Sequence, residues 1–332
     1  MKKRIYGFFT VTITIIAILC TACGAPHAHD YVDGKCADCG DVCSHSWYDE
    51  TRCTVCGIQL SNTVQELSCA SENGNIYGRL FLPSVYYGKL RTVIVCHGFN
   101  VNMSNTVPTL LARRGYACYA FDFCGGSPTT KSDMAMEDMT ILTEKADLLA
   151  VYELVSGLPT TDPDKIFLYG ESQGGLICAL TAAELSDRIA GLIMMYPGFS
   201  IVSEIALRFG SKDALPDRIE VLGKDMKRSY ADAVFEFVPS NFTVTDSPLA
   251  ADILRNRLDI TADLYNYIST YSGRTVIFHG TKDPLVDIAF SEEAIEYYDQ
   301  TKLYKVHGEE HGFGHSNLIK TIERIDAFLS EK

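Results

Sequence analysis

YGESQGG occupies residues 169–175, between the apolar run KIFLYG at 165–170 and LICALTAAEL at 176–185. A single serine therefore stands between glycines where an apolar strand gives way to a helix. Gly170-Glu171-Ser172-Gln173-Gly174 has the Gly-x-Ser-x-Gly spacing of a nucleophile elbow. Such a turn holds its serine at strained backbone angles, and the flanking glycines let strand and helix approach each other closely. Glycine and serine are common in ordinary turns, so the motif gains its meaning from the strand before it and the helix after it.

A serine hydroxyl needs a base, and the base needs an acid to orient it. Chains built around this elbow supply them in the order Ser, Asp or Glu, His. Asp283, in HGTKDPLVD after the apolar run TVIF, and His311, in VHGEEHGFGH after KLYKV, follow in that order. Asp287 is a rival acid, placed further into the approach to the next helix. His307 falls at a strand end and His315 at a helix start, whereas His311 lies in mid-loop, where an imidazole can reach the serine. An oxyanion hole asks for two backbone N–H groups. Gln173, directly after the serine, offers one, and Phe99, in HGFN after the strand TVIVC, offers the other. His97 reads as a structural turn residue.

The surrounding pattern sets the fold. NIYGRLFLP, RTVIVCHG, YACYAFDFCGG, KIFLYG, AGLIMMYPG, RTVIFHG and KLYKVHG are rich in β-branched and aromatic residues and read as strands. Helical patterns fall between them. Met139, Leu142, Ala146 and Leu149 recur on one helical face, as do Leu318, Ile322, Ile325 and Phe328. This alternation predicts an α/β fold with a mostly parallel sheet and helices on both faces. Residues 199–272 break it with helical patterns alone, and are expected to form an inserted lid rather than a plain run of surface helices.

Twelve cysteines divide into groups. Cys69, Cys96, Cys118, Cys124 and Cys178 are scattered and read as small core residues. The others crowd the N-terminal part, where HAHDYVDGKCADCG (27–40) and CSHSWYDETRCTVCG (43–57) form an internal repeat. Each half offers four zinc donors: His27, His29, Cys36 and Cys39, then Cys43, His45, Cys53 and Cys56. Disulfides are the competing reading, but five cysteines leave one unpaired and the histidines unexplained. A zinc-ribbon-like segment over 23–60 holding structural zinc is expected, with one or two ions left open and an unknown protein partner possible.

Ahead of it, Lys2, Lys3 and Arg4 precede an uncharged apolar run from Ile5 to Cys20, as in a secretory signal over 1–22. Cys20-Thr21-Ala22-Cys23-Gly24 resembles a lipoprotein cleavage site, which implies lipidation of Cys23 and anchoring on the outer side of a bacterial cell membrane. Without the signal, 26 basic residues face 42 acidic ones, a net charge of −16. So acidic a chain, with no basic patch, is a poor match for nucleic acid.

Residues from about 62 onward resemble the α/β-hydrolase superfamily, and within it the bacterial cinnamoyl and feruloyl esterase-like group. HGF at 97–99, FDFCGGS at 121–127, LTEKADLLAV at 142–151, YGESQGG, HGTKD at 279–283 and EEHGF at 309–313 occur in the expected order. The resemblance implies an α/β-hydrolase fold over 61–332 with an inserted lid. It also implies a serine ester hydrolase that needs no cofactor for catalysis and acts on hydroxycinnamoyl or short acyl esters, either small or linked to plant polysaccharide. Tyr230, Phe235, Phe237 and Phe242 would then line an aromatic acyl pocket or form the lid's own core. A serine peptidase of the prolyl oligopeptidase type shares Gly-x-Ser-x-Gly-Gly and the triad order. A non-catalytic surface-binding protein is the remaining alternative.

Overall fold

The computed structural model describes residues 31–32, 35–37, 47–49, 52–53, 55, 61–242 and 250–331. Its centre is an eight-stranded sheet. In chain order the strands are β1 (Asn62–Glu66), β2 (Gly78–Pro83), β3 (Leu90–Cys96), β4 (Ala117–Phe121), β5 (Thr161–Glu171), β6 (Gly191–Met195), β7 (Thr275–Gly280) and β8 (Thr301–Val306). They lie side by side as β8-β7-β6-β5-β3-β4-β2-β1. From β3 onward all pairings are parallel, and β2 runs antiparallel to both its neighbours. This is the α/β-hydrolase fold.

The central strands are buried along their length on both faces, as expected where helices cover a parallel sheet. One face packs against α1 (Thr106–Ala112) and α9 (His315–Ser330), with Ile322, Ile325 and Leu329 turned inward. The other packs against α2 (Ile141–Ser156) and α3 (Gln173–Leu185), and continues without a break into the insertion. That insertion holds α4 (Ile201–Phe209), a hairpin of Arg218–Val221 with Lys224–Lys227, then α5 (Arg228–Val234), α6 (Ala250–Ile260) and α7 (Ala262–Ile268). The hairpin has no counterpart in the helical reading of 199–272, because its alternation of Ile219 and Met226 with charged residues is too short to stand out. Tyr230 and Phe237 are buried in the continuous core, and Phe235 and Phe242 pack against it. The lid-core reading therefore accounts for these four aromatics better than an open pocket lining does.

The face of α2 differs from expectation. Thr140 caps the helix through a reciprocal capping box with Thr143, which leaves Met139 outside it. Leu142, Ala146 and Leu149 are only half-buried, while Ile141, Glu144, Asp147, Leu148, Val151 and Val155 face the core. Two acids can be buried there because each is hydrogen-bonded. Asp147 accepts from Ser71 Oγ (2.6 Å), Asn73 Nδ2 (2.8 Å) and Cys124 N (2.7 Å), and Glu144 accepts from Gln173. A hydrophobic pattern search discounts such positions.

Cys96, Cys118, Cys124 and Cys178 are buried, and burial pushes the thiols of Cys96, Cys118 and Cys124 well up, to about 12 at Cys124. Core packing is their role. Of the eight expected metal ligands, Cys36 is 2% exposed in the short strand Lys35–Cys36, and Cys53 lies in Arg52–Cys53. His27, His29, Cys39, Cys43, His45 and Cys56 lie outside the described residues, as does Cys23.

Candidate active site

Ser172 has φ 53° and ψ −122°, in the positive-φ region that a non-glycine residue enters only under strain. The strain is held by packing that tolerates no side chain at the flanking glycines. A Cβ on Gly170 would lie 2.2 Å from Gly174 O, and one on Gly174 would lie 2.3 Å from His97 O. Backbone bonds complete the turn: Ser172 N donates to Met195 O (3.0 Å), and Ser172 O accepts from Gly175 N (2.9 Å) and Gly198 N (2.8 Å). The serine thus stands at the carboxyl end of β5, where α/β sheets place their functional crevices.

Asp283 and His311 reach it from the loops after β7 and β8. Those loops are laced together: Lys282 N donates to Glu309 O (2.9 Å) and Gly308 N to Thr281 Oγ1 (3.0 Å). Glu309 in turn accepts from Gly314 N (2.8 Å) and Asn317 Nδ2 (2.6 Å), which fixes the turn carrying His311 to the start of α9. The result is a continuous relay. His311 Nε2 lies 2.8 Å from Ser172 Oγ, and His311 Nδ1 lies 2.7 Å from Asp283 Oδ2. Tyr196 holds the imidazole from the side, its ring centroid 4.7 Å away.

Asp283 is built to stay ionised. Burial alone would raise its carboxyl, since the side chain has no solvent access, but hydrogen bonds from His279, His311 and the N–H groups of Val286 and Leu285 hold it well below the usual carboxylate range. Both N–H groups reach Oδ1 at 2.9 Å, which leaves Oδ2 to the imidazoles. His279, the first residue of HGTKD, carries no catalytic expectation from sequence, yet is fully buried beside the acid, its Nε2 3.3 Å from Oδ2 and 2.9 Å from Val286 O. Because a carbonyl only accepts, that nitrogen carries a proton, and Nδ1 lies 2.7 Å from Ser291 Oγ. Only the closeness of His279 to Asp283 in HGTKD hinted at the contact.

The rival residues sit elsewhere. Asp287 is exposed and accepts from Ala289 N (2.9 Å) at the start of α8 (Ala289–Ala294), away from the imidazole. His307 is exposed at the end of β8, and His315 is the first residue of α9. His97 is buried, with Nε2 accepting from Phe123 N (3.0 Å) and Nδ1 therefore donating to Gly98 O (2.8 Å). Burial lowers its pKa, so it stays neutral and structural, as its place in the turn suggested.

Gln173 opens α3, so its N–H is one that no helical carbonyl satisfies. A Cβ on Gly98 would sit 3.1 Å from Ser172 Cβ, which brings the 97–99 turn over the serine. Among the described residues neither Phe99 N nor Gln173 N donates to another backbone group outside regular elements. Two free donors beside a strained serine can receive negative charge that develops on a carbonyl oxygen. Glu171 completes the surroundings: burial raises its carboxyl above the ordinary range, while the Tyr169 hydroxyl donates to it at 2.7 Å.

An elbow serine at the carboxyl edge of this sheet, with an imidazole and a carboxylate in series behind it, defines the molecule's class as a serine hydrolase of α/β-hydrolase fold. A family model described as serine aminopeptidase, S33, matches residues 89–316, more than half of the chain, so the chain belongs to that hydrolase family. No curated protein sequence matches it. Est1E from Butyrivibrio proteoclasticus, in a structure with ferulic acid bound, is similar with a TM-score of 0.65 at 23% identity, over 79% of this chain and 97% of that one. An acetyl xylan esterase from Paenibacillus sp. R4 is similar with a TM-score of 0.57 at 16% identity, over 81% and 84% of the two chains. A puromycin hydrolase has a TM-score of 0.56 at 14% identity, over 82% of this chain and 39% of that one. At these identities the likeness is one of fold.

Proposed function

We propose that this chain hydrolyses carboxylic esters through an acyl-enzyme. His311 Nε2 takes the proton of Ser172 Oγ as the oxygen attacks the ester carbonyl, Asp283 stabilises the imidazolium, and the N–H groups of Phe99 and Gln173 hold the tetrahedral oxyanion. The imidazolium then protonates the leaving alcohol, and water, deprotonated by the same ring, releases the acid. The observation that carries this reading is the unbroken 2.8 Å and 2.7 Å relay at a serine with φ 53°. Hydroxycinnamoyl or short acyl esters are the proposed substrates, in keeping with the fold shared with Est1E and the acetyl xylan esterase.

The family's description favours a second reading, in which the same machinery cleaves peptide amides. A panel of methyl ferulate, p-nitrophenyl acyl esters and aminoacyl amides separates the two. Esters are expected to be turned over with kcat/KM at least about 100-fold above the amides, and the reverse order would establish the peptidase.

Two further proposals come from sequence alone. The repeat at 27–57 holds structural zinc, and Cys23 carries a lipid anchor that places the enzyme on the outer face of a bacterial membrane. Metal analysis of the purified protein should find one or two zinc ions per chain, and Cys23→Ser should move the protein from the membrane fraction to the medium. Fully oxidised cysteines without metal would sink the first proposal, and an unchanged membrane fraction the second.

A further inference from the structure

A buried chain of three polar side chains runs behind the elbow. Tyr230, on α5 of the insertion, donates its hydroxyl to Gln173 Oε1 at 2.7 Å, and Gln173 Nε2 donates to Glu144 Oε2, on α2, at 2.7 Å. Their exposures are 0%, 1% and 1%. Hydrogen-bonded groups so deeply buried specify one arrangement, because any other leaves a polar atom unpaired. The arrangement centres on Gln173, the residue after the nucleophile. Tyr230 also meets Phe99, ring edge to face, with centroids 6.1 Å apart. One lid tyrosine therefore touches the side chains of both residues whose N–H groups are proposed above to hold the oxyanion.

We propose that Glu144 and Tyr230 are positioning residues that clamp Gln173 from both ends and Phe99 from one side, so that the lid and α2 set the oxyanion hole. The inference rests on the hydrolase reading above. Its energetic logic is that donors fixed before reaction stabilise charge without reorganising, whereas a loosened donor helps little.

The clamp works with a neutral Glu144. Its Oε1 has no hydrogen-bond partner, so a charge on this buried carboxyl would be met by the Gln173 amide at Oε2 alone. Among the described residues, the ionisable groups that interact with it are all acids: Asp147 on α2, Tyr230 on α5, and Cys96 on β3, beside Cys178 of α3. Glu204 of α4 faces Tyr230 in turn. Burial, helped by Asp147 and only partly offset by the hydrogen bond from Gln173, pushes the Glu144 carboxyl up to about 8. Above that pH a carboxylate forms one side chain away from the oxyanion donor and opposes the charge the site must hold. The same shift weakens folding as pH rises: the unfolded chain releases this proton near 4.5 and the folded chain near 8, so stability declines across that window.

The test measures kcat and KM on a p-nitrophenyl acyl ester from about pH 6 to about pH 9.5 for the wild type, Glu144→Gln, Glu144→Leu, Tyr230→Phe and Ser172→Ala. Glu144→Leu and Tyr230→Phe are expected to lower kcat roughly tenfold with KM within about twofold, because an oxyanion forms only in the transition state. Glu144→Gln keeps an acceptor for Gln173 Nε2 and should stay within about threefold of wild type at pH 7. It should also lose the fall in kcat above about pH 8, and gain Tm relative to wild type between pH 5 and pH 8. A merely structural glutamate would leave that alkaline limb in place. Wild-type kcat in Tyr230→Phe, or an unchanged alkaline limb in Glu144→Gln, overturns the inference while Ser172→Ala stays inactive. Should Glu144→Leu fail to fold, the limb in the isosteric Gln variant decides. Activity surviving in Ser172→Ala would overturn the hydrolase reading and this inference with it.

Discussion

Replacing Ser172 with alanine should lower kcat on esters by about four orders of magnitude or more, with little change in the affinity for substrate or in stability. The size follows from the chemistry: removing the nucleophile ends the covalent route, and what remains is the stabilisation that the oxyanion donors and binding give to attack by water. Binding is spared because the hydroxyl contributes little to a ground-state complex. Stability is spared because the residue's strain is held by backbone bonds to Met195, Gly175 and Gly198, which alanine keeps. Steady-state kinetics beside a thermal melt read both parts. A residual rate above about one hundredth of wild type would remove Ser172 from the reaction.

Asp283→Asn should be nearly as severe, about 10⁴-fold in kcat, and here the geometry dictates the reason. Asp283 Oδ1 accepts from the N–H groups of Leu285 and Val286, so an asparagine must keep its oxygen at that position. Its NH₂ then takes the place of Oδ2, facing His311 Nδ1 and His279 Nε2. His311 can meet that donor only with an unprotonated Nδ1, which puts its proton on Nε2, towards Ser172. An imidazole in that tautomer is no base for the serine. His279, whose Nε2 proton points at Val286 O, would meet a second donor and add a stability loss of about 1–3 kcal/mol. Kinetics and a thermal melt of the variant check both effects, and a kcat loss below about 100-fold would argue that Asp283 does not set the tautomer.

How much of this was legible in the sequence depended on whether a residue announces itself locally. Ser172, Asp283 and His311 stood out because each follows an apolar strand in a fixed chain order, and the parallel sheet puts all such strand ends at one edge. The same logic points to Gln173 and Phe99 as the proposed oxyanion donors. The edge strand β1, NTVQE, carries no sequence signal because its side chains are largely exposed and mostly polar, with no apolar face. The buried face of α2 departs from the stripe of Met139, Leu142, Ala146 and Leu149 because it includes the charged residues Glu144 and Asp147, which only their partners on distant segments make core residues. His279 and Tyr230 share that difficulty. Their contacts to Asp283 and Gln173 exist only after folding.

The central claim is that one serine hydroxyl in this chain is activated for attack at a carbonyl-like centre. A fluorophosphonate probe reads this directly, since it phosphonylates an activated serine and leaves ordinary hydroxyls alone. Digestion and mass spectrometry should place a single adduct on the peptide carrying Ser172, absent after His311→Ala. Labelling at another residue, or none on folded wild-type protein, would contradict it.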